Sequence, residues 1–173
     1  MGIVYLADRM GVSVADITTG DFLVTEVSTD RTLFDEINKF SPAEVICNDA
    51  FSMSGISLED LKDRYHFTVS ALDSHFFQDD SCRRVLREHF KVGSLEGLGL
   101  GDYDCGVIAA GAVLQYLYET QKSTLDHLTT IVPYATGNYM VLDSSTRRNL
   151  ELLETMREKQ KRGSLLWVLD KTR

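Results

Sequence analysis

The chain has 173 residues, with 18 Lys and Arg against 26 Asp and Glu and a formal net charge of −8. That length holds one ordinary domain plus an appendage, with a core that needs neither disulfides nor metals. The acidic balance argues against a free-standing DNA-binding module, whose affinity comes from neutralising phosphates. An apolar content of 43% with only two prolines excludes a disordered segment.

Three short β-like runs open the chain, over residues 3–7, 12–17 and 22–27, each rich in β-branched or aromatic side chains. Their connectors, Asp8-Arg-Met-Gly and Thr18-Thr-Gly-Asp, are short and contain Gly, which predicts an antiparallel meander. Leu33, Phe34, Ile37 and Phe40 then recur at helical spacing over 32–40, with Asp30 as a candidate cap and Pro42 as the break. Residues 44–49 read as a short buried strand, 57–64 as a helix and 67–72 as a further strand. Residues 79–90 form a polar helix with Val85, Leu86 and Phe90 facing inward. Gly97-Leu-Gly-Leu-Gly101 turns the chain into an apolar helix over 104–121, where Ala109, Ala110, Gly111 and Ala112 allow a close approach to a sheet. The plan is α/β with a mixed sheet, and its β-β-β-α-β-α-β-α order is that of the ribonuclease-H-like fold, flanked by helices and followed by a C-terminal helical appendage.

The last third carries more pattern. A strand-like run, Tyr139-Met-Val-Leu, ends in Asp143, a natural N-cap, and a charged helix is predicted from Ser144 to Arg162, with Gly163 as its stop. Leu150, Leu153 and Met156 would line one stripe of that helix. A second apolar run, residues 165–169, follows only four residues before the chain end, so the chain reads as a piece of something longer. The stripe and this run are expected to fold back on the domain or to self-associate, since apolar patches seek partners.

These strings also resemble a known family. LDSSTRRNLEL followed by GSLLWVLDKT is similar to the start of the core (lever) domain of bacterial MutS proteins of DNA mismatch repair. Upstream, Asp16-Ile-Thr-Thr-Gly-Asp-Phe, Ser41-Pro-Ala-Glu-Val, Ser94-Leu-Glu-Gly-Leu-Gly-Leu and Ala109-Ala-Gly-Ala-Val-Leu-Gln-Tyr-Leu resemble the preceding connector domain, in order. The resemblance implies a connector over residues 1–128 and the beginning of the core domain over 129–173. It further implies an adaptor that links mismatch-reading and ATPase modules and docks the partner MutL. DNA, ATP and Mg²⁺ would then concern the full-length protein. No G-x-x-x-x-G-K-[ST] run occurs here, so nucleotide hydrolysis is not expected of this segment and no cofactor is assigned to it.

Several residues invite chemistry. Asp8 after the first strand and Asp49 after the fourth could hold divalent ions for a ribonuclease-H-like nuclease, the rival reading. The glycine-rich turn has G-x-G-x-G spacing and precedes Asp102 and Asp104, which repel an anion, so it reads as a structural turn. His66, His75, His89 and His127 show no metal-ligand spacing. Cys47, Cys82 and Cys105 form no C-x-x-C pair and read as reduced thiols. With no basic leader at the start and no apolar run long enough to span a bilayer, a cytoplasmic protein is expected. On the helix over 79–90, Arg83, Arg84 and Arg87 follow Asp79 and Asp80 in the order the helix dipole favours. The same three arginines are the candidate docking face for MutL. On the terminal helix, Glu151, Glu154 and Glu158 interleave with Arg147, Arg148, Lys159, Lys161 and Arg162, which favours intrahelical pairing over phosphate binding.

Overall fold

The computed structural model describes residues 1–121, 125–136, 142 and 144–170. They fall into two compact units, Met1–Thr136 and Gly137–Arg173. In the first, β1 (Gly2–Leu6), β2 (Arg9–Ala15) and β3 (Phe22–Val27) form the antiparallel meander. The first turn is tighter than its sequence suggests. Ala7 and Asp8 both take positive φ, 47° and 65°, in a two-residue turn whose twist suits the strands, so Arg9, Met10 and Gly11 already belong to β2.

Helix α1 (Asp30–Phe40) starts earlier than its apolar spacing indicates, because Thr29 rather than Asp30 is the cap and accepts the Thr32 amide. β4 (Glu44–Cys47) pairs parallel to β1, and β5 (Thr68–Ala71) parallel to β4. Helices α3 (Leu58–Tyr65), α4 (Asp79–Phe90) and α5 (Cys105–Thr120) fall within one residue of the predicted spans. Three kinds of element escape the sequence patterns because they are too short to show a period. These are the four-residue α2 (Asp49–Ser52), the 3₁₀ turns Ser74–Phe77 and Leu95–Leu98, and the edge strand β6 (Val132–Pro133), parallel to β3. The result is an α/β unit with a mixed six-stranded sheet, ordered β5-β4-β1-β2-β3-β6.

Side chains alternate across the sheet, as the strand period requires. Ile3, Met10, Val12, Val45 and Cys47 pack with Leu33, Ile37 and Phe51. Phe22, Val24 and Ile46 pack with Leu86, Val107, Ala110 and Leu114. Helix α5 is buried on nearly every side, and missing side chains make room for it. A methyl group added to Gly11 of β2 would overlap the Cys105 carbonyl, and one on Gly2 would press on Val113 and the Ala109 carbonyl. Gly111 faces the other way, where a methyl would overlap Cys82 of α4. The close approach expected from the small residues of α5 is present, with glycines of the sheet supplying half of it.

The second unit corrects the terminal helix. α6 (Ser144–Asn149) ends far short of Arg162. Glu151 adopts φ 46°, and the amides of Glu151 and Leu152 bond back to the Arg148 and Arg147 carbonyls, the pattern that closes a helix. The Glu151 and Leu152 carbonyls then accept the Leu165 and Leu166 amides at 2.9 and 3.0 Å, so the backbone is satisfied without continuing the helix. Gly163 does take positive φ (92°), but within a turn. The run after it is a short helix, α7 (Leu165–Leu169), capped by Ser164. No stripe forms, and Leu150, Leu153, Met156 and the apolar residues of α7 are exposed. Asp143 and residues 139–141 lie outside the described residues. Among the described residues, no helix is long and apolar enough to cross a membrane.

Gly11→Ala and Gly111→Ala should each lower the stability of the chain by about 1–3 kcal/mol, since neither the facing backbone nor Cys82 Cβ can yield freely. Gly93→Ala, with open space around it, should stay near neutral. Urea unfolding of the three variants compares them directly.

Candidate partner-binding face

Helix α4 turns Cys82 and Leu86 fully inward, which leaves Arg83, Arg84 and Arg87 on its outer side. The three are not equivalent. Arg83 Nε donates to both carboxylate oxygens of Asp79, at 2.7 and 2.9 Å, and its Nη2 donates to Asp104 at 3.2 Å. It thereby ties one turn of α4 to the start of α5, as a guanidinium fork suits. Arg84 and Arg87 are exposed, and neither has an ion pair among the described residues. Arg87 Nε donates only to the Arg83 carbonyl, at 3.3 Å. The face therefore offers two free guanidinium charges one helical turn apart, beside a third that is committed.

The far end of α4 is fixed by His89. Its Nε2 lies 2.7 Å from the Leu128 carbonyl, to which it donates, and its Nδ1 lies 2.6 Å from the Tyr118 hydroxyl. His89 thus joins α4, α5 and the segment after α5.

The two carboxylates of the nuclease reading do not assemble a metal centre. Asp8 sits in the turn beyond β1, accepting the Tyr5 hydroxyl at 3.2 Å. Asp49 is the first residue of α2 and lies past the end of β4. Between them Asn48 accepts the Tyr5 amide and donates to the Tyr5 carbonyl, both at 3.1 Å, and also caps α2. Among the described residues no group of three or more His, Cys, Asp or Glu could hold a metal ion. The nuclease alternative finds no support in this geometry.

A cleft of about 470 Å³ opens at another edge of the unit, lined by Asp16, Asp21, Phe40, Glu44, Tyr116 and Leu117 among others. Its carboxylates serve local structure. Asp16 accepts from Thr18 and Thr19, which hold its carboxyl below the usual range. Glu44 accepts from the Ser70 hydroxyl at 2.5 Å and the Tyr116 hydroxyl at 2.7 Å, and that bond to Glu44 raises the Tyr116 phenol. Asn48 could have been found from its place before a helix start. The commitment of Arg83 could not, because Asp104 is distant in sequence.

The MutS domain II family matches residues 3–129 of this sequence. The chain belongs to that family. It is 58% identical over its whole length to the DNA mismatch repair protein MutS of Lachnoclostridium phytofermentans, of which it covers 19%. It is 44% and 42% identical, over 94% of its length, to the proteins of the same name from Ruminiclostridium cellulolyticum and Acetivibrio thermocellus, again covering 19% of each. The chain thus spans about a fifth of the length of these relatives.

The thiols of this MutS domain II are all buried. Burial, and then the nearby Asp79 charge, push Cys82 from its usual 9 up to about 12, and burial also raises Cys47 and Cys105. Ellman's reagent at pH 8 should therefore label none of them until the chain unfolds. The native state keeps protons that the unfolded chain releases above pH 9, so these groups should leave stability unchanged below pH 9 and lower it progressively from pH 9 toward 12. On α4, Arg83→Ala should cost under about 1 kcal/mol, because its ion pairs are partly solvated, and Arg84→Ala and Arg87→Ala should stay within about 0.5 kcal/mol of neutral. Urea midpoints at pH 8 and pH 10 check both statements.

Proposed function

We propose that this chain is the non-catalytic connector of a DNA mismatch repair protein, joining its mismatch-reading and lever modules and docking MutL. The observation that carries the reading is the domain II match over residues 3–129, in a chain that covers about a fifth of relatives named DNA mismatch repair proteins. The sheet supports a ribonuclease-H-like assignment, since β3-β2-β1-β4-β5 has an antiparallel half followed by a parallel half. In such a protein DNA contact, ATP and Mg²⁺ belong to other segments and the setting is cytoplasmic. The net charge of −8 fits a part that does not grip DNA alone. Residues 129–173 begin the lever domain in sequence, although 129–136 fold with the first unit. The exposed apolar side chains of the second unit then pack on the rest of that longer protein.

The docking face is the exposed pair Arg84 and Arg87, which suits an acidic surface of MutL and governs association rate and salt dependence. Calorimetric titration with MutL from the same source should give saturable binding that weakens about tenfold or more in the Arg84→Glu, Arg87→Glu double variant. Arg83→Glu is a poor probe, because it also repels Asp79 and Asp104. Absence of any binding to the unaltered chain would remove the docking role, and undiminished binding of the double variant would move it off α4.

A further inference from the structure

Tyr134 is held more densely than its place in a loop after a two-residue strand requires. Its amide donates to the Val24 carbonyl at 3.0 Å, and its own carbonyl accepts the Thr25 hydroxyl at 2.6 Å. Its phenol donates to Glu36 Oε2 at 2.5 Å. Glu36 is only 6% exposed, an unusual position for a carboxylate, and Lys39 Nζ compensates it at 3.1 Å. The same ammonium lies 4.4 Å from the Tyr134 ring centroid, and the Phe40 ring meets Tyr134 edge-on at 6.3 Å. Burial and the Glu36 bond raise the phenol far above its usual range, so it stays a donor at every physiological pH. Two backbone bonds, one charge-assisted bond and two ring contacts thus converge on one residue, from β3 on one side and α1 on the other. The first compact unit ends two residues later, at Thr136.

We infer that Tyr134 is a positioning residue that clamps the outgoing chain to β3 and α1, so that a displacement arriving from beyond Thr136 is passed to the sheet and α1. The role, though not the geometry, rests on the connector reading. A connector passes on a displacement only if the chain is fixed where it leaves the domain. Without the clamp, the chain beyond the buried Ile131 would rest on two residues of edge strand, an exposed Val132 and a proline. A pull on the outgoing chain would then fray β6 instead of reaching the sheet and α1.

The test uses the full 173-residue chain with spin labels on Gly93→Cys and Arg157→Cys, both exposed positions, one in each unit. The native thiols are buried and stay unlabelled. Tyr134→Phe keeps the ring and removes the hydroxyl, and Thr25→Val removes the side-chain bond from β3 while leaving the Tyr134 amide on Val24. Tyr118→Phe, which loses the 2.6 Å contact to His89 in the same unit, is the control for general loosening. The expected result is a broader inter-label distance distribution in Tyr134→Phe and Thr25→Val than in the control. Exchange of the Tyr134 amide should also speed up about tenfold or more, with a thermal midpoint no lower than that of the control. Unchanged width and exchange in both variants, or equal broadening in Tyr118→Phe, overturns the inference. A chain that broadens on Tyr134→Phe yet never binds MutL would keep the clamp and lose the docking role.

Discussion

The seat of α5 is the constraint on which the first unit depends. This helix has almost no polar face, so it must be covered all round, and it can be covered only if its neighbours come closer than ordinary side chains permit. Gly2 and Gly11 open the sheet to it, and Gly111 opens it to α4. Because the backbones approach so nearly, α4 has little freedom to shift against α5. The Arg83 bonds to Asp79 and Asp104 and the two bonds of His89 then fix the two ends of α4.

That rigidity bears on function. A docking face made of long arginine side chains loses entropy when it is bound, and a helix already immobilised beneath them keeps that loss to the side chains themselves. If Arg84 and Arg87 form the proposed docking face, the packed core beneath α4 would serve them in this way. The opposite face of the sheet, packed on α1, carries Glu36, Lys39 and Phe40, which grip the chain where it leaves the unit. In the proposed reading, docking and transmission would use different layers of one sheet.

Local patterns reached most of this fold. The meander, α4 and α5 were legible because alternation, caps and apolar periods are written in adjacent residues. β6 was not, because two residues have no period and the strand exists only through its pairing with β3. The site was legible in part. Composition and spacing put three arginines on one helix face, but nothing nearby in sequence tells that Arg83 is held by Asp104, twenty-one residues on. The long terminal helix failed for a related reason. The charged run from Ser144 favours helix at every step, yet the carbonyls of Glu151 and Leu152 find partners at Leu165 and Leu166, and the helix stops.

The sequence by itself determined the α/β plan, the acidic surface, the small residues of α5 and the family strings, since each is a property of neighbouring residues or of their sum. Only the tertiary structure decided which arginines are free, where the two nuclease-like carboxylates end up, and how Tyr134 meets Glu36 across 98 residues of chain. Those outcomes depend on contacts between distant segments, and the free energy of such a contact resides in burial and geometry that no local pattern encodes.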